Sequence, residues 1–165
     1  MEKYKELFEL AKYAFNEELS RSYRIDDKAS KYFSVLTLMI GIYVYFVKSA
    51  IKICIPIRGF FNIIILSFTL LLLLFLVLTW LLLFKVLKIS NYFKIPIDIE
   101  FYQKNELPSI YLAMSKGIKL NMLENRKKGD KKAFFIRLSY KLMIFDVFLI
   151  LVLIVLYSIK LLITD

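Results

Sequence analysis

The chain has 165 residues, 59% of them hydrophobic, with a formal net charge of +10 and a positive mean hydropathy. That balance places it in the membrane class and leaves too little chain for two soluble domains beside a membrane unit. Histidine is absent and Cys54 is the single cysteine. These counts exclude an intrachain disulfide, a Cys/His zinc site and a Cys–His or Ser–His nucleophile pair, so neither a metal, a cofactor nor an enzyme activity is expected.

Residues Glu2 to Lys31 predict an amphipathic helix. Tyr4, Leu7, Ala11, Ala14, Leu19, Ser22, Ile25 and Ala29 recur at helical spacing. Seven Lys/Arg balance seven Asp/Glu over the same stretch, which suits a helix packed on another helix or lying along a membrane surface. It suits a strongly basic lipid anchor less well, and its charge fits no cleavable signal peptide.

Two apolar runs follow. Phe33 to about Ile55 is uncharged as far as Val47, with Lys48 and Lys52 placed to snorkel at its end. Phe60 to Phe84 carries no charge, Gly or Pro, and its polar residues are Asn62, Ser67, Thr69 and Thr79 alone, scattered along it. An apolar helix of about 20 residues matches the ~30 Å hydrocarbon core. The turn Ile55-Pro56-Ile57-Arg58-Gly59 joins the runs into a membrane hairpin.

Beyond Lys85 and Lys88, Ile95 to Phe101 alternates apolar with polar residues and predicts an edge strand or extended linker containing Pro96. Asn105 to Arg126 predicts a helix capped by Asn105, with Pro108 in its first turn. The run Arg126-Lys127-Lys128-Gly129-Asp130-Lys131-Lys132 predicts a basic break or hinge. A third apolar run covers Leu142 to Ile159, with Tyr140, Lys141, Tyr157 and Lys160 as interfacial anchors.

The predicted fold is therefore an all-α integral membrane protein with three transmembrane helices and one short extended segment at most. Residues 1–32 form the N-terminal cytoplasmic amphipathic helix and 33–87 the hairpin, with spans 33–55 and 60–84. Residues 88–140 form a helical cytoplasmic region, and 141–165 the third span with a short outer tail. Residues 85–141 hold thirteen Lys/Arg and the N-terminal flank seven, against three around the hairpin turn and one in the tail. That asymmetry puts the N-terminus and residues 85–141 in the cytoplasm.

Three features stand out as functional candidates. On the first span Ser34, Thr37, Gly41, Tyr45, Lys48 and Lys52 share one helical face, which suits a pore lining or a close helix–helix interface. Asp146 lies inside the third span, where a carboxylate near the midplane costs ~2.5–3.5 kcal/mol on insertion scales. It is either a gating or proton-sensitive group, or a shallower one paired with Lys141 or Lys85. Arg126, Lys127, Lys128, Lys131 and Lys132 form the densest basic run, suited to anionic lipid, an anionic nucleotide or ordinary positive-inside topology. It lacks the interleaved aromatics of a nucleic-acid site.

The stretch Glu18 to Ser30, with Ile25, Asp26, Lys28 and Ala29 leading into the first apolar run, resembles small bacterial membrane effectors of anti-phage defence. These are the SLATT-type and Pycsar-type proteins associated with nucleotide cyclases, and the retron-linked transmembrane effectors. The stretch Ser109 to Lys132, with Asn121, Asn125 and Lys127/Lys128, is similar to those families too, while a third span containing Asp146 departs from a strict two-span pattern. The resemblance implies a dormant protein of the bacterial inner membrane, triggered by a cyclic nucleotide or a partner protein. It would assemble as a homo-oligomer, permeabilise the membrane and cause abortive infection. The competing expectation is a non-toxic scaffold or adaptor that docks a soluble partner on its basic cytoplasmic face. A holin-like protein and an intramembrane enzyme fit less well, because the cytoplasmic region is long and Asp146 stands without a second carboxylate.

Overall fold

The computed structural model describes residues 2–54, 59–89 and 99–164, and every element among them is an α-helix. In chain order they are α1 (Glu2–Cys54), α2 (Phe60–Lys88), α3 (Ile99–Lys104) and α4 (Leu107–Thr164). Three of the four, α1, α2 and α4, are long and apolar enough to cross a membrane. The chain therefore fits a multi-pass, all-helical membrane protein.

Continuity is the main departure from the sequence reading. The amphipathic stretch and the first apolar run form one unbroken helix, α1. The hinge expected at Arg126–Lys132 is absent, because α4 runs through Gly129 without interruption. A single helical glycine costs only about 1 kcal/mol, and the four lysines around it, Lys127, Lys128, Lys131 and Lys132, are good helix formers. At Gly129 an added Cβ would lie 3.4 Å from Glu18 Oε1, an ordinary contact with the end of a flexible side chain.

The extended segment is also corrected. Ile99 to Phe101 belong to α3, while residues 95–98 lie outside the described ones. So do residues 55–58 of the expected turn, and Gly59 alone is seen there, with φ 98. That left-handed conformation suits glycine. Asn105 lies two residues before α4, which begins at Leu107; the Ile110 N–H donates to the Glu106 carbonyl at 3.1 Å. Pro108 does sit in the first turn, where its missing N–H is harmless.

One pattern links the three long helices. The buried residues of α2 are Asn62, Ile65, Thr69, Leu72, Leu76, Thr79, Leu83 and Val86. Their steps alternate between three and four, a seven-residue repeat. On α1 the buried Ala29, Leu36, Met39 and Ala50 fall in such a frame, with half-buried Tyr32, Tyr43 and Phe46 between them. On α4 the same steps connect Ser115, Ile118, Asn125, Lys132, Ile136, Ser139, Met143, Asp146, Ile150, Leu153 and Tyr157, all buried. A repeat of seven keeps one seam of each helix turned inward in the manner of a left-handed coiled coil.

The chain divides into two compact units. The first comprises Met1–Asp27 and Lys88–Phe134, the second Lys28–Leu87 and Phe135–Asp165. In the first unit α1 and α4 run parallel. Phe8 meets Tyr111 with ring centroids 5.6 Å apart, and farther along Arg21 reaches Asp130 and Asp26 reaches Lys132. In the second unit α1 and α4 again run parallel, with Tyr32 against Tyr140 and Phe46 against Tyr157. There α2 runs antiparallel to α4, since Phe75 packs on Phe145 and Lys85 lies over the Phe135 ring. Leu36, Met39, Leu72, Leu76, Leu149 and Leu153 form the centre of this three-helix core.

Candidate functional site

The polar stripe of α1 lies on the outside of the second unit. Ser34, Thr37, Gly41, Tyr45, Lys48 and Lys52 are all exposed. Tyr45 is 70% exposed, whereas Leu36 on the opposite side is 1% exposed. The heptad seam of α1 turns its apolar residues to α2 and α4, and the polar residues are left facing away.

The Ser34 and Thr37 hydroxyls on this stripe are satisfied by their own helix. Ser34 Oγ donates to the Ser30 carbonyl at 3.2 Å, and Thr37 Oγ1 to the Phe33 carbonyl at 2.9 Å. Such back-bonding lets a hydroxyl sit in an apolar setting without another partner. Gly41 has nothing within 4 Å of where a Cβ would stand. Packing inside this chain therefore does not require a glycine there.

The contrast with the other two helices is sharp. Leu70, Leu73, Leu74, Val77 and Leu81 line the exposed side of α2, and Ile144, Val147, Phe148, Leu151 and Val155 that of α4. Within the apolar runs of these helices the exposed hydroxyls are Ser67 and Ser158. Two helices thus present lipid-like surface, and α1 presents a stripe of small, hydroxyl and cationic side chains beside exposed Val35, Leu38, Ile42, Val44 and Ile51.

Asp146 occupies the heptad seam of α4 and is completely buried. Its partner is neither Lys141, which is exposed, nor Lys85, which lies 5.8 Å from the Phe135 centroid. Thr79 of α2 donates to Asp146 Oδ2 at 3.0 Å. The same Thr79 hydroxyl lies 3.0 Å from the Phe75 carbonyl, so one proton serves two acceptors. Asp146 Oδ1 has no hydrogen-bond partner. Elsewhere in the core, the Tyr157 hydroxyl donates to the Phe46 carbonyl at 3.2 Å and ties α4 to α1.

The basic run of α4 does not form one face. Lys132 is 1% exposed and donates to Asp26 Oδ1 at 2.7 Å. Lys127 pairs with Glu124 at 3.1 Å along its own helix, Lys128 is half-buried, and Arg126 and Lys131 are exposed. Consecutive helical residues turn by about 100°, which distributes such a run around the axis.

The family-like motif falls largely on the α1 seam. Ile25 is half-buried, Ala29 fully buried and Asp26 bound to Lys132, while Lys28 is exposed. Just before it, Arg21 donates to Asp130 Oδ1 at 2.6 Å and to Glu18 Oε1 at 3.2 Å. The Asp130 contact, more than Glu18, holds the guanidinium above its ordinary pKa. Sequence reading missed both cross-helix pairs, because their partners lie more than a hundred residues apart. It missed Thr79 as well, although the alternating three- and four-residue steps that join Asn62, Thr69 and Thr79 contained a signal.

Comparison with known proteins found no matching family model, no matching characterised protein and no matching solved structure.

Proposed function

We propose that this chain is a membrane effector of bacterial anti-phage defence, which assembles into a homo-oligomer and permeabilises or depolarises the inner membrane when triggered. Its N-terminus and residues 85–141 face the cytoplasm, and α1 of each copy lines the lumen or the seam between copies. The observation that supports this reading is the outward polar stripe of α1 beside the apolar outer faces of α2 and α4. Small and hydroxyl residues aligned on one outer face let a second helix approach closely, and the lysines at the end of the stripe are accommodated by water. The uninterrupted α1 and α4 give a trigger at the cytoplasmic end a continuous helical route to the spans. A cyclic nucleotide or a partner protein supplies that trigger, and the outcome is abortive infection.

The test is membrane potential and dye entry in induced cells, with and without the genomic neighbours of the gene. Wild-type chain depolarises the cells; Ser34→Leu with Tyr45→Leu inserts equally well and does not. Depolarisation by that variant at wild-type level removes α1 from the lumen. An unchanged potential with properly inserted wild-type chain during infection favours the scaffold, docking its partner through the exposed Arg126 and Lys131.

A further inference from the structure

The apolar runs of the second unit hold one carboxyl, and it is turned inward. Between Lys31 and Lys48, between Phe60 and Phe84, and between Lys141 and Lys160, Asp146 is the only Asp, Glu, Lys or Arg. It stands fully buried on the α4 seam between Met143 and Ile150.

A charge at that point needs a counter-charge, and no helix packed against it offers one. The titratable groups that α1 turns to this core are the phenols of Tyr32 and Tyr43. From α2 comes the Thr79 hydroxyl, and the nearest cation on that helix, Lys85, is exposed and lies over the Phe135 ring. On α4 itself Lys141 and Tyr140 are exposed, and the Tyr157 hydroxyl is taken by the Phe46 carbonyl. Among the described residues Asp146 makes no ion pair.

Proton counting separates the two states of this carboxyl. An ionised carboxylate is an acceptor only. Thr79 then has one proton for two oxygens, Phe75 O and Asp146 Oδ2, each at 3.0 Å, and Oδ1 receives none. A neutral carboxylic acid brings a proton of its own. On Oδ2 that proton goes to Thr79 Oγ1, and the Thr79 proton goes undivided to the Phe75 carbonyl. Oδ1 is then an uncharged carbonyl oxygen. Leaving a neutral oxygen unpaired in an apolar interior costs far less than leaving a charge there.

We propose that the closed three-helix core holds Asp146 as a neutral carboxylic acid donating to Thr79, and that loss of this proton unlocks α2 from α4. The proton leaves Oδ2 for water, and both electrons of the O–H bond stay on the carboxylate. That carboxylate is hydrated only when the α2–α4 seam parts. The closed state therefore binds one proton that the open state, with an ordinary aspartate in water, lacks at neutral pH. Raising the pH favours opening. The lock lies within one chain and stands apart from the homo-oligomer and defence readings.

The experiment uses the full-length chain in lipid bilayers. Infrared spectra at neutral pH show the C=O stretch of one protonated carboxyl, which Asp146→Asn removes and Thr79→Val shifts. Amide exchange over residues 72–83 is then followed from about pH 6 to pH 8 as the ratio of wild type to Asp146→Asn, which cancels the ordinary pH dependence of exchange; that ratio rises by up to about tenfold per pH unit. If no protonated band is present at neutral pH, or if Thr79→Val leaves the band unmoved, the assignment falls and the lock with it. A band with a constant exchange ratio makes the acid purely structural, and the lock falls. Should Asp146→Asn fail to insert, residues 18–29 of the wild-type chain serve as the exchange reference, and Thr79→Val identifies the band.

Discussion

The two units hold the same pair of helices together by different means. In the first, α1 and α4 meet through Arg21–Asp130, Lys132–Asp26 and a seam containing Ser22, Ser115 and Asn125. In the second, they meet with α2 through leucines, Met39, Met143 and aromatic rings, and the polar exceptions are few. The difference follows from the surroundings that the proposed topology assigns. In water, burying a leucine is itself a driving force, and charged pairs fix the register. In lipid the tails are as apolar as leucine, so close packing and a few hydrogen bonds must do the work.

A matched pair of cavity mutants tests this difference most strongly. Ile118 of the first unit is 2% exposed and Leu153 of the second is fully buried. Ile118→Ala removes both transfer energy and packing, and is expected to cost ~2–5 kcal/mol. Leu153→Ala removes packing alone, and is expected to cost roughly half as much because lipid solvates the unpacked side chain. Amide hydrogen exchange of the full chain in bilayers reads each unit separately. Equal losses of protection would remove the distinction between an aqueous and a lipid-solvated unit.

The next effect concerns the buried charge. Asp26→Ala leaves Lys132 inside the first unit without that carboxylate. Breaking a fully buried pair costs ~3–5 kcal/mol. Asp26 is itself 37% exposed, so water offsets part of this and about 2 kcal/mol is expected. Exchange should quicken in residues 18–29 and stay unchanged around Leu72. Asp26→Leu combined with Lys132→Met should restore most of the protection, because an apolar pair of similar size needs no counter-charge. If the double variant is no better than Asp26→Ala, the pair supplies something other than mutual neutralisation.

Much of the fold was legible because membrane spans are written in length and composition. Three apolar runs predicted three long helices, and all three are present. The inward faces were harder to read. Phe60 to Phe84 is apolar on every side, so a hydrophobic stripe has no contrast there. The seam is marked instead by Asn62, Thr69 and Thr79, which composition alone presents as scattered. In the amphipathic stretch the apolar spacing chose Leu7 and Ala14. The structure turns Phe8 and Phe15 inward beside the expected Ser22 and Ala29, and leaves Leu7 exposed. The supposed hinge at Gly129 was misread because charge and a glycine normally punctuate a helix. Here Asp26 and Asp130–Arg21 draw that charge into the contact with α1.

A smaller effect lies at the polar exception in the apolar core. Thr79→Val keeps the shape of the side chain and removes the donor to Asp146. Hydrogen bonds between membrane helices average about 0.6 kcal/mol, and this one shares its proton with the Phe75 carbonyl. A loss of about 0.5 kcal/mol is expected in the same exchange measurement. Asp146→Asn retains an acceptor for Thr79 and should leave the α2–α4 contact intact, whereas Asp146→Leu removes it. A loss above ~2 kcal/mol for Thr79→Val would mean that the pair organises the core rather than decorating it.

The smallest expected change in stability, and the most informative for function, is at Thr37. Its hydroxyl bonds the Phe33 carbonyl of its own helix. Thr37→Val should therefore leave exchange in the second unit unchanged, since the exposed position loses one local hydrogen bond and gains a better lipid-facing surface. If α1 lines an aqueous lumen, the same substitution dries one turn of that surface and lowers dye entry. If α1 meets a second helix, the valine fills the contact and shifts the oligomer fraction without altering the potential per oligomer. Measuring dye entry against oligomer fraction for this one variant separates the two outer surroundings of α1, using a side chain whose role inside the chain is already satisfied.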